Sequence, residues 1–427
     1  MLVAVAGVLA SLGCERTTTG TPAGGGGLAD PTLLPVASGQ APNAAAYGAL
    51  DVVHQPAGFS YNDPVTDVKI WKVTSSTVPT ANSSAGHDYA DGGNRASLGW
   101  GPDDNTHTIM IRGDGMAYHL VDFTRGVGLS NYRGLPNGAQ PDRDLCFSFS
   151  NLTSQPRIAY VITNGVLQRL NTETLQIENT GNFPHTLNAF GWLQHDKNDV
   201  WFVGVVNATT AFAWNSRTNQ YLTHSESWLD EGRLERDGRY VVLTNGGGQV
   251  RLWDLSDNSL GPTQNEGINF WFAHNASLRS QWVTADVNIS APFAQDRYSV
   301  SGGQVVKTAI LNQSAGTLVH YAGNWVQSDA ELGGGGGGLN RQWSFVSGYD
   351  DDPRWANSVL WQHAIGVQRS DGSDQRLLLH HYSVNPGPSY WAIPWGTPSP
   401  DGKVVIFNSN MNGAGRYDLF VAEMPLR

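Results

Sequence analysis

Between Trp100 and Thr397, one pattern of apolar and polar residues recurs at intervals of about forty to fifty residues. Each copy begins with a short apolar or aromatic segment, continues with a polar turn and ends with a run of β-branched or aromatic residues. The clearest copies are residues 395–407 (WGTPSPDGKVVIF) and 231–243 (EGRLERDGRYVVL). Repeats of this kind predict small sheets arranged around an axis, because one sheet alone cannot bury its own apolar face.

Alignment of the copies on their β-like runs gives seven of them. The longest interval contains one more copy, residues 340–345 followed by 358–363, and two insertions, at 288–296 and 333–338. The aligned positions are Trp100, Ser150, Trp192, Arg233, His274 and Thr397, separated by 50, 42, 41, 41 and 123 residues.

Further short runs within each copy, such as residues 200–205 and 210–214, are separated by Asn, Gly, Asp and Ser turns, as is typical of antiparallel meanders. No stretch has a sustained apolar period of 3.6 residues, so almost no helix is predicted. The last run, 417–421, leaves its sheet without an outer strand, which residues 67–73 can supply. The sequence therefore predicts an all-β fold, a seven-bladed β-propeller with an N-terminal strand closing the last blade.

Two motifs carry a resemblance to known repeat families. Residues 399–402 (SPDG), with a degenerate copy at 236–238, resemble the Ser-Pro-Asp-Gly repeats of bacterial TolB-like propellers. Residues 250–255 (VRLWDL) resemble a WD40 strand ending. The resemblance covers most of residues 60–427 and implies a fold, because these motifs are turn chemistry.

Composition narrows the class of partner. The chain has 427 residues, 50 of them Gly and 15 Trp, with 15% charged residues and a net charge of −11. Glycine with aromatics suits an all-β fold with many tight turns. The acidic balance argues against nucleic acid as a partner, because backbone phosphates require a basic surface.

The N-terminal segment predicts export. Residues 2–12 form an apolar run too short to span a bilayer, and they lead into residues 11–14 (SLGC), which resemble a bacterial lipobox. Residues 1–14 are thus expected to be a lipoprotein signal peptide with Cys14 lipidated, an ordinary cleaved signal being the alternative. A flexible tether at 15–45 and the propeller at 46–427 would follow, in a protein of the cell envelope, periplasmic or at the surface, or secreted. Membrane association would then depend on the anchor at Cys14 alone.

Candidate chemistry begins with the aligned column, whose members should converge at the central channel of a propeller. Trp100 and Trp192 could stack on sugar rings, Arg233 could pair with a carboxylate or sulfate, and His274 could act as a base or metal ligand. The alternative is that the Trp residues pack between blades and that Arg233 pairs with a neighbouring Asp or Glu. Cys146, the second of two cysteines, is predicted to be a small core residue.

Two further clusters are candidates. Residues 378–383 and 390–395 bring His380, His381, Tyr390 and Trp391 to the start of the last blade, and strand alternation sends the two histidines to opposite faces. The other cluster combines His87, in residues 87–91 (HDYAD), with His107 and His119, which could serve acid–base work or bind a divalent cation. Its alternative is a solvated polar loop.

The chain is also loosely similar to oligogalacturonate lyases, secreted propellers that cleave uronic-acid chains by β-elimination with a metal ion. The resemblance implies three catalytic roles, for which Arg233, His274 and Tyr390 are candidates: neutralising the carboxylate, removing the α-proton and protonating the leaving oxygen. The family's Gln-x-x-His-x-His run is absent here, and Trp395-Gly-Thr-Pro stands in its place.

Two hypotheses follow. The first is an exported propeller that binds a carbohydrate in its central funnel and, as the resemblance implies, cleaves it. The second is a non-catalytic scaffold that docks a protein of a cell-envelope complex.

Overall fold

The computed structural model contains seven small antiparallel sheets in the part of the chain that it describes. That part comprises residues 34–35, 41–79, 98–112, 117–142, 146–179, 189–207, 209–245, 248–265, 275–285, 294–312, 319–325, 343–348, 363–384, 394 and 396–425. Before the first complete sheet come β1 (Leu34–Pro35), helix α1 (Ala44–Ala49), a 3₁₀ turn (Val52–His54), β2 (Ser60–Asn62) and β3 (Lys69–Lys72).

Each of the first four complete sheets runs outward from its innermost strand. Sheet 1 contains β4 (Leu98–Trp100), β5 (Thr106–Arg112), β6 (Tyr118–Thr124) and β7 (Gly128–Gly134), which a 3₁₀ turn (Asn137–Ala139) follows. Sheet 2 contains β8 (Phe147–Phe149), β9 (Ile158–Thr163), β10 (Val166–Asn171) and β11 (Ile177–Asn179). Sheet 3 contains β12 (Ala189–His195), β13 (Trp201–Val206), β14 (Thr210–Asn215) and β15 (Tyr221–Ser225). Sheet 4 contains β16 (Glu231–Leu234), β17 (Tyr240–Thr244), β18 (Gln249–Asp254), β19 (Ser259–Leu260) and β20 (Gln264–Asn265).

The remaining three sheets keep this order. Sheet 5 contains β21 (Asn275–Leu278), β22 (Gln281–Ala285), β23 (Ala294–Ser301) and β24 (Gln304–Asn312). Sheet 6 contains β25 (Val319–Trp325), β26 (Trp343–Gly348), β27 (Ala364–Arg369) and β28 (Gln375–His380), with β1 added to its outer edge. Sheet 7 contains β29 (Thr397–Pro398), β30 (Val404–Ser409) and β31 (Asp418–Glu423), and β3 and β2 complete it.

The ring closes as the sequence predicts. Strand β3 pairs antiparallel with β31, with Trp71 opposite Val421, so the two ends of the repeat region share sheet 7. The seven-bladed propeller and its N-terminal closing strand are thereby confirmed. Within the segment predicted to be a tether, Leu34 and Pro35 pair with the outer strand of sheet 6. The predicted signal segment at 1–14, including Cys14, lies outside the described residues.

Two features of the repeat differ from the alignment. The innermost strand of sheet 6 is β25, which comes before residues 340–345, where the alignment began this copy. Strand β23 occupies part of the predicted insertion at 288–296. Its alternation is hard to recognise because a buried position holds a charge: Asp296 is paired with Lys307 at 2.8 Å between carboxylate and Nζ.

Apolar clusters lie between neighbouring sheets and hold the ring together. One cluster, for example, joins Ile109 and Val121 of sheet 1 to Ile406 and Val421 of sheet 7. Similar clusters join sheets 1 and 2, 2 and 3, 3 and 4, 4 and 5, and 6 and 7. Cys146 is fully buried in the cluster between sheets 2 and 3, which confirms its predicted place in the core.

The up-and-down order of the strands gives the ring two distinct faces. Tight turns between the innermost strand and its neighbour lie on one side, here called the turn face; among them are residues 101–105, 196–200, 235–239 and 399–403. Chain segments that lead from the outermost strand of one sheet to the innermost strand of the next begin and end on the opposite side, here called the loop face.

Candidate functional site

The innermost strands hold several members of the predicted column. Trp100 lies in β4, Trp192 in β12, Arg233 in β16 and Thr397 in β29. Ser150 follows β8 directly. For Trp192 only the backbone position is described. The alignment thus places these distant segments correctly at the centre of the ring.

Arg233 is fully buried and forms an ion pair within its own strand. Its Nη2 donates to Oε2 of Glu231, which lies two residues earlier and therefore on the same face of β16. Burial raises the pKa of the neighbouring carboxyl of Asp230, and the charge of Arg233 opposes that rise. The pairing with a neighbouring acid is the alternative that the sequence left open for Arg233.

Trp100 and His107 lie together at the seam between sheets. Their ring centroids are 6.5 Å apart, and Trp100 Nε1 donates to the carbonyl oxygen of Asn151 in sheet 2 at 3.2 Å. The His107 side chain is 1% exposed, and its Nε2 lies 3.0 Å from Asp401 Oδ1 in sheet 7. His119 is partly buried in β6, where burial lowers its pKa.

His380 ends β28 and is held by Asp63. The backbone N–H of His380 donates to Asp63 Oδ2 at 2.8 Å, and its Nδ1 lies 3.6 Å from Oδ1. Burial tends to raise the pKa of Asp63, but the hydrogen bonds and charge of His380 outweigh burial and lower it.

His381, the next residue, has different partners. Its backbone N–H donates to the carbonyl oxygen of His363 at 2.7 Å, and its Nδ1 accepts from the N–H of Ser383 at 2.9 Å. Its imidazole meets that of His363 edge to face, with centroids 5.6 Å apart. Both predicted histidines are buried, at 0% and 1% exposure.

His363 is the residue of this cluster that the sequence did not single out. It immediately precedes β27 on the loop face and is partly buried. Its Nδ1 must carry the proton, because its partner at 2.7 Å is the carbonyl oxygen of Ser383, which can only accept. Burial lowers its pKa; the hydrogen bond to Ser383 opposes this effect in part, and the charge of His380 adds a smaller lowering effect. At neutral pH its Nε2 therefore has a lone pair available to take a proton.

A second constellation, formed by Ser148, His195 and Asp199, has the hydrogen bonds of a nucleophile–base–acid triad. Ser148 Oγ lies 2.9 Å from His195 Nε2, and His195 Nδ1 lies 2.8 Å from Asp199 Oδ1. Ser148 and the imidazole of His195 are both completely buried. Because no substrate can reach these atoms, the triad joins sheets 2 and 3 rather than supplying a nucleophile.

Several predicted residues cannot be placed. His87, His274, Tyr390 and Trp391 lie outside the described residues. In the chain, His274 directly precedes β21, and Tyr390 and Trp391 fall between β28 and β29.

A divalent cation was a further expectation. Among the residues that the structure describes, no three His, Cys, Asp or Glu side chains come close enough together to hold a metal ion.

The fold is similar to that of known lyases. Oligogalacturonate lyase from Vibrio parahaemolyticus has a TM-score of 0.57 and 12% identity, with 86% of this chain and 96% of that chain covered. An oligogalacturonate lyase in complex with manganese has a TM-score of 0.55 and 13% identity, with 87% and 97% covered. No protein-family model matches the chain, and no curated protein has a detectably similar sequence. At this identity the likeness establishes the propeller fold, and with it the predicted resemblance to lyase propellers.

Proposed function

We propose that the protein binds an acidic carbohydrate at the loop face of the ring and cleaves it by β-elimination, with His363 as the base. The observation that carries the proposal is the state of the His363 imidazole. Its Nδ1–H is held by Ser383, and its lowered pKa keeps Nε2 unprotonated at neutral pH. The likeness of the fold to that of two oligogalacturonate lyases supports the choice of substrate.

Elimination in a uronate chain requires a base beside the carbon that bears the carboxyl group. The base removes the proton from this carbon, the electron pair forms a carbon–carbon double bond, and the glycosidic oxygen leaves with a proton from an acid. His363 fits the first role because a neutral imidazole with a depressed pKa accepts a proton without first having to lose one. Tyr390 as the acid and His274 as a second base remain predictions.

We do not assign Arg233 the role of neutralising the carboxylate of the substrate. Its guanidinium is fully buried and paired with Glu231, and breaking a buried ion pair costs about 3–5 kcal/mol. The roles of Trp100 and Trp192 as sugar-stacking surfaces remain predictions.

The test is a screen of acidic and neutral polysaccharides, measuring both binding and the absorbance of the unsaturated uronate product. The wild-type protein is expected to act on an acidic chain, and His363→Ala is expected to reduce kcat by at least about 100-fold while the substrate still binds. His54→Ala is the matched control, because its side chain is 78% exposed. Full activity of His363→Ala would remove this residue from the mechanism. If no polysaccharide of the panel is bound or cleaved, the whole proposal is rejected.

We further propose that this activity is exported and anchored through a lipid on Cys14. The support is the lipobox-like sequence at 11–14. No helix among the described residues is long and apolar enough to cross a membrane. Metabolic labelling with a fatty-acid analogue should mark the full chain but not Cys14→Ser; equal labelling of both would contradict the anchor.

The scaffold alternative has less support in the structure. Large apolar side chains that are exposed among the described residues are Val127 and Tyr132 in sheet 1 and Val306 in sheet 5. Sheets 1 and 5 are not neighbours in the ring, so these three side chains do not form one continuous apolar patch. Docking of an envelope protein remains a prediction from the sequence.

A further inference from the structure

Among the side chains that the structure describes, no apolar cluster joins sheet 5 to sheet 6. At the seam between these two sheets, β21 and β22 pack against β25, and the side-chain contact farther out is polar: Gln281 Nε2 donates to Ser370 Oγ at 3.4 Å.

Two buried polar side chains of sheet 6 face this seam. Gln368 in β27 and Ser344 in β26 lie directly opposite each other across the two strands. Their chain neighbours Trp343, Phe345 and Val367 pack against sheet 7, so strand alternation turns Gln368 and Ser344 toward sheet 5.

Both side chains are completely buried, and neither has a hydrogen-bond partner among the described residues. This holds for Oε1 and Nε2 of Gln368 and for Oγ of Ser344. Buried amides and hydroxyls are almost always hydrogen-bonded, and an ordered water molecule or a bound ion is one way in which an exception is satisfied.

Sheet 5 adds a positive charge to the same seam. Its strand β23 alternates, with Tyr298 packed toward sheet 4, so Arg297 faces sheet 6. Arg297 is partly buried, and its Nε is buried without a hydrogen bond. No acidic side chain among the described residues forms an ion pair with its guanidinium.

The register places Arg297 and Gln368 at the same height. The contact between Gln281 and Ser370 fixes the two sheets relative to each other. In sheet 5, Val283 lies two residues beyond Gln281 in β22, toward the loop face, and it is directly opposite Arg297 in β23. In sheet 6, Gln368 lies two residues from Ser370, also toward the loop face. Arg297 and Gln368 are therefore at the same level between the two faces of the ring.

We propose that this seam binds a small oxyanion that also carries a hydroxyl group, of which hydrogen phosphate is the smallest, with Arg297, Gln368 and Ser344 as its ligands. The guanidinium, the amide nitrogen and the serine hydroxyl all donate, and together they suit an anionic oxygen. The amide oxygen of Gln368 can only accept, and no N–H or O–H of the described residues donates to it, so an O–H of the ligand would satisfy it. Sulfate lacks that group, whichever way the amide is oriented.

The site is separate from the histidine cluster of the loop face, and its occupant need not be the carbohydrate. An ordered water molecule could also satisfy the amide and the hydroxyl. A water molecule, however, would not neutralise the charge of the Arg297 guanidinium, whereas an oxyanion would. Dependence of stability on the added anion therefore distinguishes an oxyanion from water.

The experiment compares the Tm of the full chain in phosphate, glycolate, sulfate and chloride at equal pH and ionic strength. Phosphate is expected to raise the Tm by about 1–3 °C above the chloride value, and sulfate by less. Glycolate, which joins a carboxylate to a hydroxyl, tests whether the site takes hydroxy acids as well as phosphate. A response to either of the two hydroxyl-bearing anions that exceeds the response to sulfate supports the proposal.

Variants localise the effect. Arg297→Gln and Gln368→Met are expected to abolish the response to phosphate, whereas Arg239→Gln, an exposed arginine already paired with Asp254, is expected to keep it. Calorimetric titration with phosphate below the unfolding temperature gives the same comparison if a variant is less stable. Equal responses to all four anions, or a phosphate response retained in both seam variants, would overturn the proposal and leave water as the occupant.

Discussion

His107 Nε2 lies 3.0 Å from Asp401 Oδ1, so the second strand of sheet 1 is joined to the first turn of sheet 7 across 294 residues of sequence. Asp401 also accepts from Ser399 Oγ at 2.6 Å and from the N–H of Lys403 at 3.1 Å. The aspartate of the Ser-Pro-Asp-Gly motif thus both shapes its own turn and closes the ring.

Asp401→Asn should lower the free energy of unfolding at pH 7 by about 2 kcal/mol, because it removes a charge-assisted hydrogen bond. Burial tends to raise the pKa of Asp401, but the hydrogen bond and charge of His107 lower it well below its ordinary value. A depressed carboxyl pKa adds stability above the unfolded pKa of about 4, and this stability disappears as the pH falls further. Urea unfolding of both proteins at pH 7 and pH 3 measures the difference, which should shrink at pH 3. Asp257→Asn, at an exposed turn, should change little at either pH.

Asp196 should have the opposite pH dependence. Burial raises its pKa to about 6. A raised carboxyl pKa means that the folded state holds the proton more tightly, so stability falls as the pH rises from about 4 through 6. In the wild-type protein, Asp196 Oδ1 accepts from the N–H of Val200 at 2.7 Å, and the amide oxygen of Asp196→Asn can still accept there. This variant should therefore be more stable than wild type at pH 8 by about 2 kcal/mol. At pH 4 the two proteins should unfold at the same urea concentration, and a variant weakened equally at both pH values would show that the carboxylate itself is needed.

Lys72 should hold the N-terminal segment onto sheet 7. Its Nζ lies 3.2 Å from Asp418 Oδ2 and donates to the carbonyl oxygens of Val52, Val53 and Gln55 at 2.8–3.0 Å. Lys72→Met removes all four contacts and should cost about 3 kcal/mol. Hydrogen exchange should accelerate most at residues 44–55. Lys69→Met, three residues earlier in the same strand, should leave this exchange unchanged.

Gly99 should tolerate no side chain. A Cβ there would lie 2.3 Å from the ring of Phe149, where the innermost strands of sheets 1 and 2 meet. Gly99→Ala should therefore destabilise the protein by at least about 2 kcal/mol, as overpacked cores do. Gly48→Ala, in helix α1 with open space around it, should be neutral or stabilising by about 0.5–1 kcal/mol. Thermal unfolding of the pair provides the check, and a Gly99→Ala protein as stable as Gly48→Ala would contradict this packing.

The pH profile of the proposed elimination should reflect His363. Its lowered pKa keeps the base unprotonated in mild acid, so the acid limb of kcat/KM should fall at a pH below the ordinary histidine value of about 6.5. A profile that already loses activity above pH 7 would indicate a different base.

Turn chemistry and strand alternation carried most of the fold prediction. The Asp-Gly turns at 237–238 and 401–402 mark the same place in two sheets, and the strand at 67–73 closes the ring as expected. The repeat count is also correct, although the start of sheet 6 is not. The residues at 326–342 separate β25 from β26, so a fixed spacing from copy to copy misplaces the innermost strand there.

The site was less accessible to sequence reasoning. The partner of Arg233 follows from the period of a strand, since Glu231 two residues earlier must share its face. His363 has no such local signal, because the group that fixes its tautomer, the carbonyl oxygen of Ser383, lies 20 residues further along the chain. Likewise, Asp401 is separated by 294 residues from His107, and only the closed ring brings the two together.

The pairing of β3 with β31 also has a consequence for how the chain is made. Trp71 Nε1 donates to Glu423, 352 residues later, and ribosomes add roughly 5–20 residues per second. The N-terminal strand therefore waits roughly 20–70 s for its partner to be synthesised. During that time its edge is open to other chains, so recovery of folded protein should depend on chaperones that cover it in the cell.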